Sequence, residues 1–351
     1  MARPLPEPKK AEILSLEEAV KKYTYDGMTI GFSGFTAGTR NPVAFAWEMI
    51  RQERKDLHCI DRHGSVCTFL LNAAKRMRIY ETDWYGWGEL AGKLDLNFER
   101  RYKEGSILAE EYAHGATAFR MLAGALGIPF IPYYAPMGSD LYNPEYDRLG
   151  KEGLRDGSNP RIPKKKFDYL EDPFYGDGKV VLLPAARPEV AVIHVGQAGE
   201  KGTARWRGVA SLDKELALAA DKVIIVCEEI VPESMLRQYP ESNQIPYFIV
   251  DCIVELPFGA YPTGNPYYYD YDMQFMQQMQ AASRTEEGMN QWLDEWVFGP
   301  KDWRDFLNKL GANKIADLRA DSLTGYSSRI MRGKKPAPKM FEPLSVAKFG
   351  Y

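Results

Sequence analysis

Cysteine is scarce in this chain, with four residues in 351, at Cys59, Cys67, Cys227 and Cys252, two of them inside apolar runs. So few thiols exclude a disulfide-stapled framework and predict buried, reduced side chains in a cytoplasmic protein. Neither sign of charge is in excess: 45 Lys and Arg face 48 Asp and Glu, for a net charge of -3. A nucleic-acid reader would carry a basic face, so that class is set aside. No apolar run approaches the roughly 20 residues of a membrane span. Met1–Lys10 has no apolar core of a secretory signal. No internal repeat is present, and His58 and His63 with Cys59 and Cys67 lack zinc-site spacing, so no metal is expected.

What is present is ample apolar material, 45% of the chain, enough for one large α/β domain or two intimate ones. Ser15 followed by Glu18 reads as a capping box opening a helix over Leu16–Lys22. Asp26-Gly27 makes a turn, and Met28–Phe32 is a short apolar run with the shape of a buried strand. A glycine-containing loop follows, and Val43–Arg51 resumes as a helix with Pro42 near its first turn. The alternation continues with strands at Leu57–Ile60, Arg78–Tyr80, Ile128–Tyr134, Val180–Pro184, Val190–Val195, Lys222–Cys227 and Phe248–Val254. Helices fall at Leu70–Met77, Gly115–Leu126, capped by Gly127, and Asp213–Ala220. Continuous apolar strands with helices between them predict an α/β fold, a mostly parallel sheet covered by helices on both faces. Ligands of such sheets bind beyond the carboxyl ends of the strands. Residues 1–325 are expected to make a single domain, with 150–177 as a polar surface excursion and 326–351 as an extended, basic tail.

A strand, a glycine loop and a helix present backbone N–H groups to an anionic ligand. Here the loop reads Ser33-Gly-Phe-Thr-Ala-Gly-Thr-Arg40, after Asp26-Gly27 and before Pro42. It resembles the signature of the class I CoA-transferase family, in which Gly-Gly-Phe is usual where Ser33-Gly34-Phe35 stands, and the spacing of Gly38 and Pro42 is altered. The likeness to the A (α) subunit of glutaconate CoA-transferase extends through Ile128-Pro-Phe-Ile-Pro132, Met137-Gly-Ser139, Val192–Ala198, Val226–Ile230 and Pro257–Pro262. It continues through Tyr269-Asp-Tyr271, Glu295–Phe298 and Asn308–Gly311.

The resemblance implies a fold of the CoA-transferase type and an activity that moves CoA between carboxylic acids. In the family a glutamate carboxylate, supplied by the partner B subunit, attacks the acyl-CoA, through an acyl-glutamyl anhydride and a glutamyl-CoA thioester. Its context has no equivalent in this chain, so a B (β) subunit partner is expected, in a hetero-oligomer such as α2β2. No cofactor is implied, since CoA arrives as substrate.

The substrate-binding candidates are Ser33, Gly34, Phe35, Thr36, Ala37, Gly38 and Arg40, with Gly138, Ser139 and Gln197 beyond them. The loop shapes the acyl pocket or is an ordinary turn that needs glycine. Arg40 is read as a partner for a substrate carboxylate or as a solvated arginine. Gly138-Ser139 offers an N–H and a hydroxyl, or makes a plain turn. Gln197 faces the cleft or holds a loop. Glu228-Glu229 are read as structural, paired with basic neighbours or capping the next segment. His194 reads as a buried core histidine. Trp84, Trp87 and Tyr267–Tyr271 read as core or subunit interface. His114 is the one catalytic candidate, an acid or base, against a plain helix-surface histidine.

Three other readings accompany this one. A related branch hydrolytically opens a ring of a steroid-derived CoA thioester, using an acidic residue and an arginine whose positions fall near His114 and Tyr134. Neither matches. An effector-sensing regulator would need a helix-turn-helix and a basic face. A non-catalytic scaffold subunit is the third.

Overall fold

A computed structural model describes residues 10–36, 38–86, 94–134, 138–176 and 178–330. The strands are β1 Glu12–Ile13, β2 Thr29–Phe32, β3 Leu57–Ile60, β4 Met77–Thr82, β5 Leu108–Glu111 and β6 Phe130–Tyr133. They continue with β7 Asp168–Glu171, β8 Lys179–Pro184, β9 Val190–Gly199, β10 Ala204–Arg205, β11 Lys222–Val231 and β12 Cys252–Glu255. The helices are α1 Leu16–Tyr23, α2 Val43–Arg51, α3 Val66–Ala73, α4 Leu96–Lys103, α5 His114–Leu126 and α6 Arg148–Lys151. After them come α7 Asp213–Ala219, α8 Glu233–Arg237, α9 Met273–Ala282, α10 Glu286–Leu293, α11 Trp303–Leu310 and α12 Ala312–Leu318.

The main sheet has the order β1-β12-β11-β9-β2-β3-β4-β5, every pair along this path parallel, with β10 antiparallel to β9 at its side. Apolar strands such as β11 (Lys-Val-Ile-Ile-Val-Cys) bury both faces, so helices must cover each side. One side packs α1, α2, α3 and the C-terminal helices around Trp47, whose ring meets Trp303 at 5.5 Å. On the other, Met121 of α5 and Leu216 of α7 pack against Ile193 and Ile225. All four cysteines are buried and free. Among the described residues no helix is long and apolar enough to cross a membrane.

Several boundaries differ from the sequence reading. The helix expected at Leu70–Met77 is α3, four residues earlier, because Ser65 and Thr68 form a capping box in which Thr replaces the usual Glu. Val180–Pro184 and Val190–Val195, read as strands of one sheet, fall in different sheets. The former is β8, which joins β6 and β7 in a separate three-stranded antiparallel sheet. Short apolar runs reveal a strand, not its sheet. Strands β9 and β11 each run four residues further than expected, so Glu228-Glu229 lie inside β11 rather than after it. Residues 247–249 form a 3-10 turn after Pro246, and the strand starts only at Cys252.

The stretch 150–177 holds the edge strand β7 and is fastened to the main sheet. Buried Arg155 donates to Glu110 of β5 at 2.6 Å and pairs with Asp147 at 2.7 Å. Arg155→Ala is expected to cost about 3 kcal/mol and to expose this segment to limited proteolysis, read as a new cleavage band. Of the basic tail, residues 331–351 lie outside the described residues, as does Trp87.

Candidate active site

The chain reverses its direction of strand addition at β2. From there it runs outward through β3, β4 and β5, while β9, β11 and β12 extend the sheet the other way. The crevice between the carboxyl ends of β2 and β9 is therefore the topological switch point where open α/β sheets take ligands. The Ser33–Arg40 loop sits there.

The loop is held from below by side chains. Ser33 is enclosed: its hydroxyl accepts the His194 N–H at 2.8 Å and donates to the Arg40 carbonyl at 3.1 Å. It staples β2 to β9 and presents nothing to a ligand, which corrects its assignment as a substrate contact. Gly34 has φ +113°, and a Cβ there would lie 2.1 Å from Asn41 Nδ2 and 2.7 Å from the Thr39 carbonyl. Its N–H is already given to Asp213 Oδ1 at 2.9 Å. Phe35 and Gly38 also spend their amides inside the loop, on the carbonyls of Thr39 (3.0 Å) and Phe35 (3.2 Å). The Thr36 N–H, at φ +50°, finds no acceptor among the described residues, and its carbonyl takes Asn41 Nδ2 at 3.0 Å. Ala37 lies outside the described residues.

Arg40 corrects both of its sequence readings. Its side chain is fully enclosed, 2.7 Å from Asp213 Oδ2, donating to the Val209 carbonyl at 2.6 Å and stacked over Trp206 at 4.8 Å. It is shut off from solvent, and its charge is already met by Asp213. The pair clamps the loop to the first residue of α7.

A second group adjoins the loop. The Phe35 ring stands edge-on to His63 (5.5 Å), and His63 stacks on His114 at 3.9 Å. Both imidazoles face the enclosed carboxylate of Asp83, at the end of β4. His114 Nδ1 lies 3.1 Å from Oδ2, His63 Nδ1 3.5 Å from Oδ1. Arg62 donates to His114 Nε2 at 2.8 Å. Because a guanidinium can only donate, Nε2 is the acceptor and the ring proton resides on Nδ1, directed at Asp83. Burial, reinforced by the Arg62 guanidinium, lowers the His63 pKa to about 3, so it is neutral. Burial likewise raises the Asp83 pKa, against the pull of His114, the His63 backbone N–H and the Arg62 guanidinium.

His63, Asp83 and His114 bring possible metal-ligating atoms within 4.8 Å of one another, a grouping that the spacing of His58, His63, Cys59 and Cys67 did not suggest. A metal on His114 Nδ1 would put a proton on Nε2, against the Arg62 donor. The arrangement therefore favours a hydrogen-bonded chain over a metal centre. His114, as the first residue of α5, is half-exposed, but its free nitrogen is occupied.

The remaining candidates lie apart. Gly138 (φ +92°) and Ser139 follow β6 of the small sheet, and the Ser139 hydroxyl caps the turn at Leu141 (3.2 Å). No hydrogen bond joins them to the Ser33–Arg40 loop among the described residues. Gln197 donates to Glu229 at 2.9 Å, as does the Tyr268 hydroxyl at 2.5 Å. Gly264 N–H, bonded to the Gly38 carbonyl (3.0 Å), opens the Asn265–Tyr269 turn that carries this group beside the loop. Glu228 takes Tyr269 (2.7 Å) and the Phe258 N–H (2.8 Å) and lies 3.2 Å from buried His194. The carboxylate pair is structural, but its partners are phenols, amides and a histidine rather than lysine or arginine.

Asp61, Arg62, Asp83 and Asp213 were missed. Three of them directly follow β3 or β4 at the cleft end of the sheet, the one local signal that could have found them. Asp61 is enclosed beside Thr68 (3.0 Å), and burial raises its pKa to about 7.

The order of strands and the loop at their switch point define an open, doubly wound α/β protein whose ligand site lies at the carboxyl ends of β2 and β9. The chain belongs to the coenzyme A transferase family, whose description matches residues 13–256. The A subunit of glutaconate CoA-transferase from Acidaminococcus fermentans is 32% identical over 316 residues, 90% of this chain and 97% of that protein. The crystal structure of that transferase superposes with a TM-score of 0.82, covering 90% of this chain and 98% of the other at 31% identity. The A subunit of 3-oxoadipate CoA-transferase from Pseudomonas knackmussii is 32% identical, covering 87% of this chain and all of that protein. A cholesterol ring-cleaving hydrolase IpdA subunit of Mycobacterium tuberculosis is 26% identical over 86% of this chain and 98% of that protein.

Proposed function

We propose that this chain is the A subunit of a heteromeric CoA-transferase and builds one wall of an acyl-CoA site completed by a B subunit. The observation that carries this is the clamped Ser33–Arg40 loop at the β2–β9 switch point, in a chain that matches transferase A subunits over nearly their whole length.

Its own carboxylates suit a supporting part. Asp213 is committed to Arg40, Glu228 to Tyr269 and Phe258, and Glu229 to Tyr268 and Gln197. Asp61 is half-protonated near neutrality, and a protonated carboxyl is a poor nucleophile. The attacking carboxylate then comes from the partner. It adds to the thioester carbonyl and expels CoA thiolate, leaving an acyl-carboxylate anhydride. The thiolate attacks the enzyme's side of that anhydride, releasing the acyl group as its acid and leaving CoA on the enzyme. An acceptor carboxylate repeats the two steps in reverse. Both additions pass through an oxyanion, for which preorganised N–H donors are the main help, and the Thr36 amide is one that the loop leaves without an acceptor among the described residues. No resident cofactor takes part.

Hydrolysis of the thioester or a ring would need a base to deprotonate water. With Nε2 of His114 held by Arg62 and its proton on Nδ1, the histidine has no free lone pair for that task.

Co-purified A and B subunits incubated with acyl-CoA and then reduced with borohydride are expected to lose activity, with the reduced glutamate on the B subunit by mass spectrometry. Product formation that requires water and leaves no covalent CoA adduct would refute transfer.

A further inference from the structure

Arg62 is half-buried, and its partners differ from those of three enclosed arginines of this chain. Arg40, Arg120 and Arg155 each meet a carboxylate. Arg62 forms no ion pair among the described residues, and its Nε is buried without an acceptor. Its hydrogen bond goes to an uncharged nitrogen of His114. Of the five N–H bonds of a guanidinium, that contact uses one. Desolvation lowers its pKa, outweighing the attraction of Asp83 and Glu215.

Its place is informative. Arg62 lines a narrow crevice of about 20 Å³ together with Gly34 of the signature loop and Asp213. The ring contacts from Phe35 through His63 to His114 connect the two. Asp83 sets the tautomer of His114, and His114 aims the guanidinium by offering its lone pair. A planar fork with unused donors, held half-buried at a ligand site, matches a carboxylate bound through two parallel hydrogen bonds.

We propose that Arg62 anchors a second carboxylate on the acyl group, so that the preferred substrates are dicarboxylic acyl thioesters, with Asp83 and His114 as positioning residues. This rests on the transferase reading above. It places recognition of the remote carboxylate on this chain rather than on the partner that supplies the nucleophile. An anion of the CoA moiety could meet the same fork, and the experiment separates the two sources.

The test compares wild type with Arg62→Gln, each as the complex with its B subunit, using glutaryl-CoA and butyryl-CoA as donors. The expected result is a loss of about 100-fold in kcat/KM for glutaryl-CoA, mostly in KM, with butyryl-CoA changed less than about threefold. Asp83→Asn, which frees the His114 tautomer, should raise KM for glutaryl-CoA more than it raises KM for butyryl-CoA. Equal losses on both thioesters would overturn the proposal and assign Arg62 to CoA or to the fold.

A binding arm needs no turnover: free glutarate should raise the melting temperature of the wild-type complex, butyrate should not, and Arg62→Gln should abolish the difference. If the wild type exchanges CoA with neither thioester, the transferase reading fails, and this arm alone decides the anchor. Equal responses of the two proteins to glutarate would overturn it.

Discussion

Asp213→Ala is expected to cost about 3–5 kcal/mol of folding stability and to lower CoA exchange at least about 100-fold. Two losses combine. The substitution leaves the Arg40 guanidinium enclosed and without its counter-ion, and an uncompensated buried charge is far more costly than a missing pair. It also removes the acceptor of the Gly34 N–H, the one side-chain contact that fixes the loop where glycine is obligatory. A displacement of about 1 Å in a positioning element suffices for a hundredfold effect on rate. Chemical denaturation and steady-state exchange check the two halves. The double variant Arg40→Met, Asp213→Leu separates them. It should recover much of the stability, since apolar side chains of similar volume replace the pair, while exchange stays low because the loop remains unstapled. Recovery of both would remove the clamp from the catalytic argument.

The second large effect is expected at Glu81, remote from the loop. Its carboxylate joins β4 to α5 through Arg120, lies 3.3 Å from His58, and Arg120 in turn donates to the Pro184 carbonyl of β8 at 2.9 Å. The Arg120 guanidinium also lies 3.8 Å over the Tyr112 ring. The network therefore connects the main sheet, the helix that begins at His114, and the small sheet. Glu81→Gln should destabilise by about 3–5 kcal/mol, because Arg120 would be buried without an anion. Burial pushes the Glu81 pKa up, but Arg120 and His58 outweigh it and hold it at about 2 instead of 4.5. A depressed carboxylate pKa contributes stability that is present above about pH 4.5 and is lost as pH falls toward 2. The wild type should thus lose on the order of 3 kcal/mol across that window from this group. Glu81→Gln should flatten that part of the curve. A variant that is as acid-sensitive as wild type would assign the sensitivity elsewhere.

Much of the architecture was legible locally. Capping at Ser15 and Glu18, the αL stop at Gly127, and the apolar runs of β2, β3, β9 and β11 each act within a few residues, so spacing alone reveals them. The glycine loop after β2 is readable for the same reason, and so is the parallel, doubly covered sheet. Sheet membership was not. Phe130–Tyr133 and Lys179–Pro184 look like any short apolar strand, and nothing in their composition says that they pair antiparallel with Asp168–Glu171. Strand ends were also hidden, because Gln197 and Glu229 are polar residues that stand opposite each other at the cleft, beyond the apolar run.

The site divides along the same line. Residue types and spacing in Ser33–Arg40 identify a ligand loop, since strand, glycine turn and helix are consecutive in the chain. Which of its groups face the ligand depended on partners far away in sequence: Asp213 for Arg40 and Gly34, His194 for Ser33, Asp83 and Arg62 for His114. Burial and charge pairing arise from contacts more than a hundred residues apart in several of these cases. A local pattern cannot encode them, and only the packed sheet brings a conspicuous arginine into a structural clamp and turns an inconspicuous one, Arg62, onto His114.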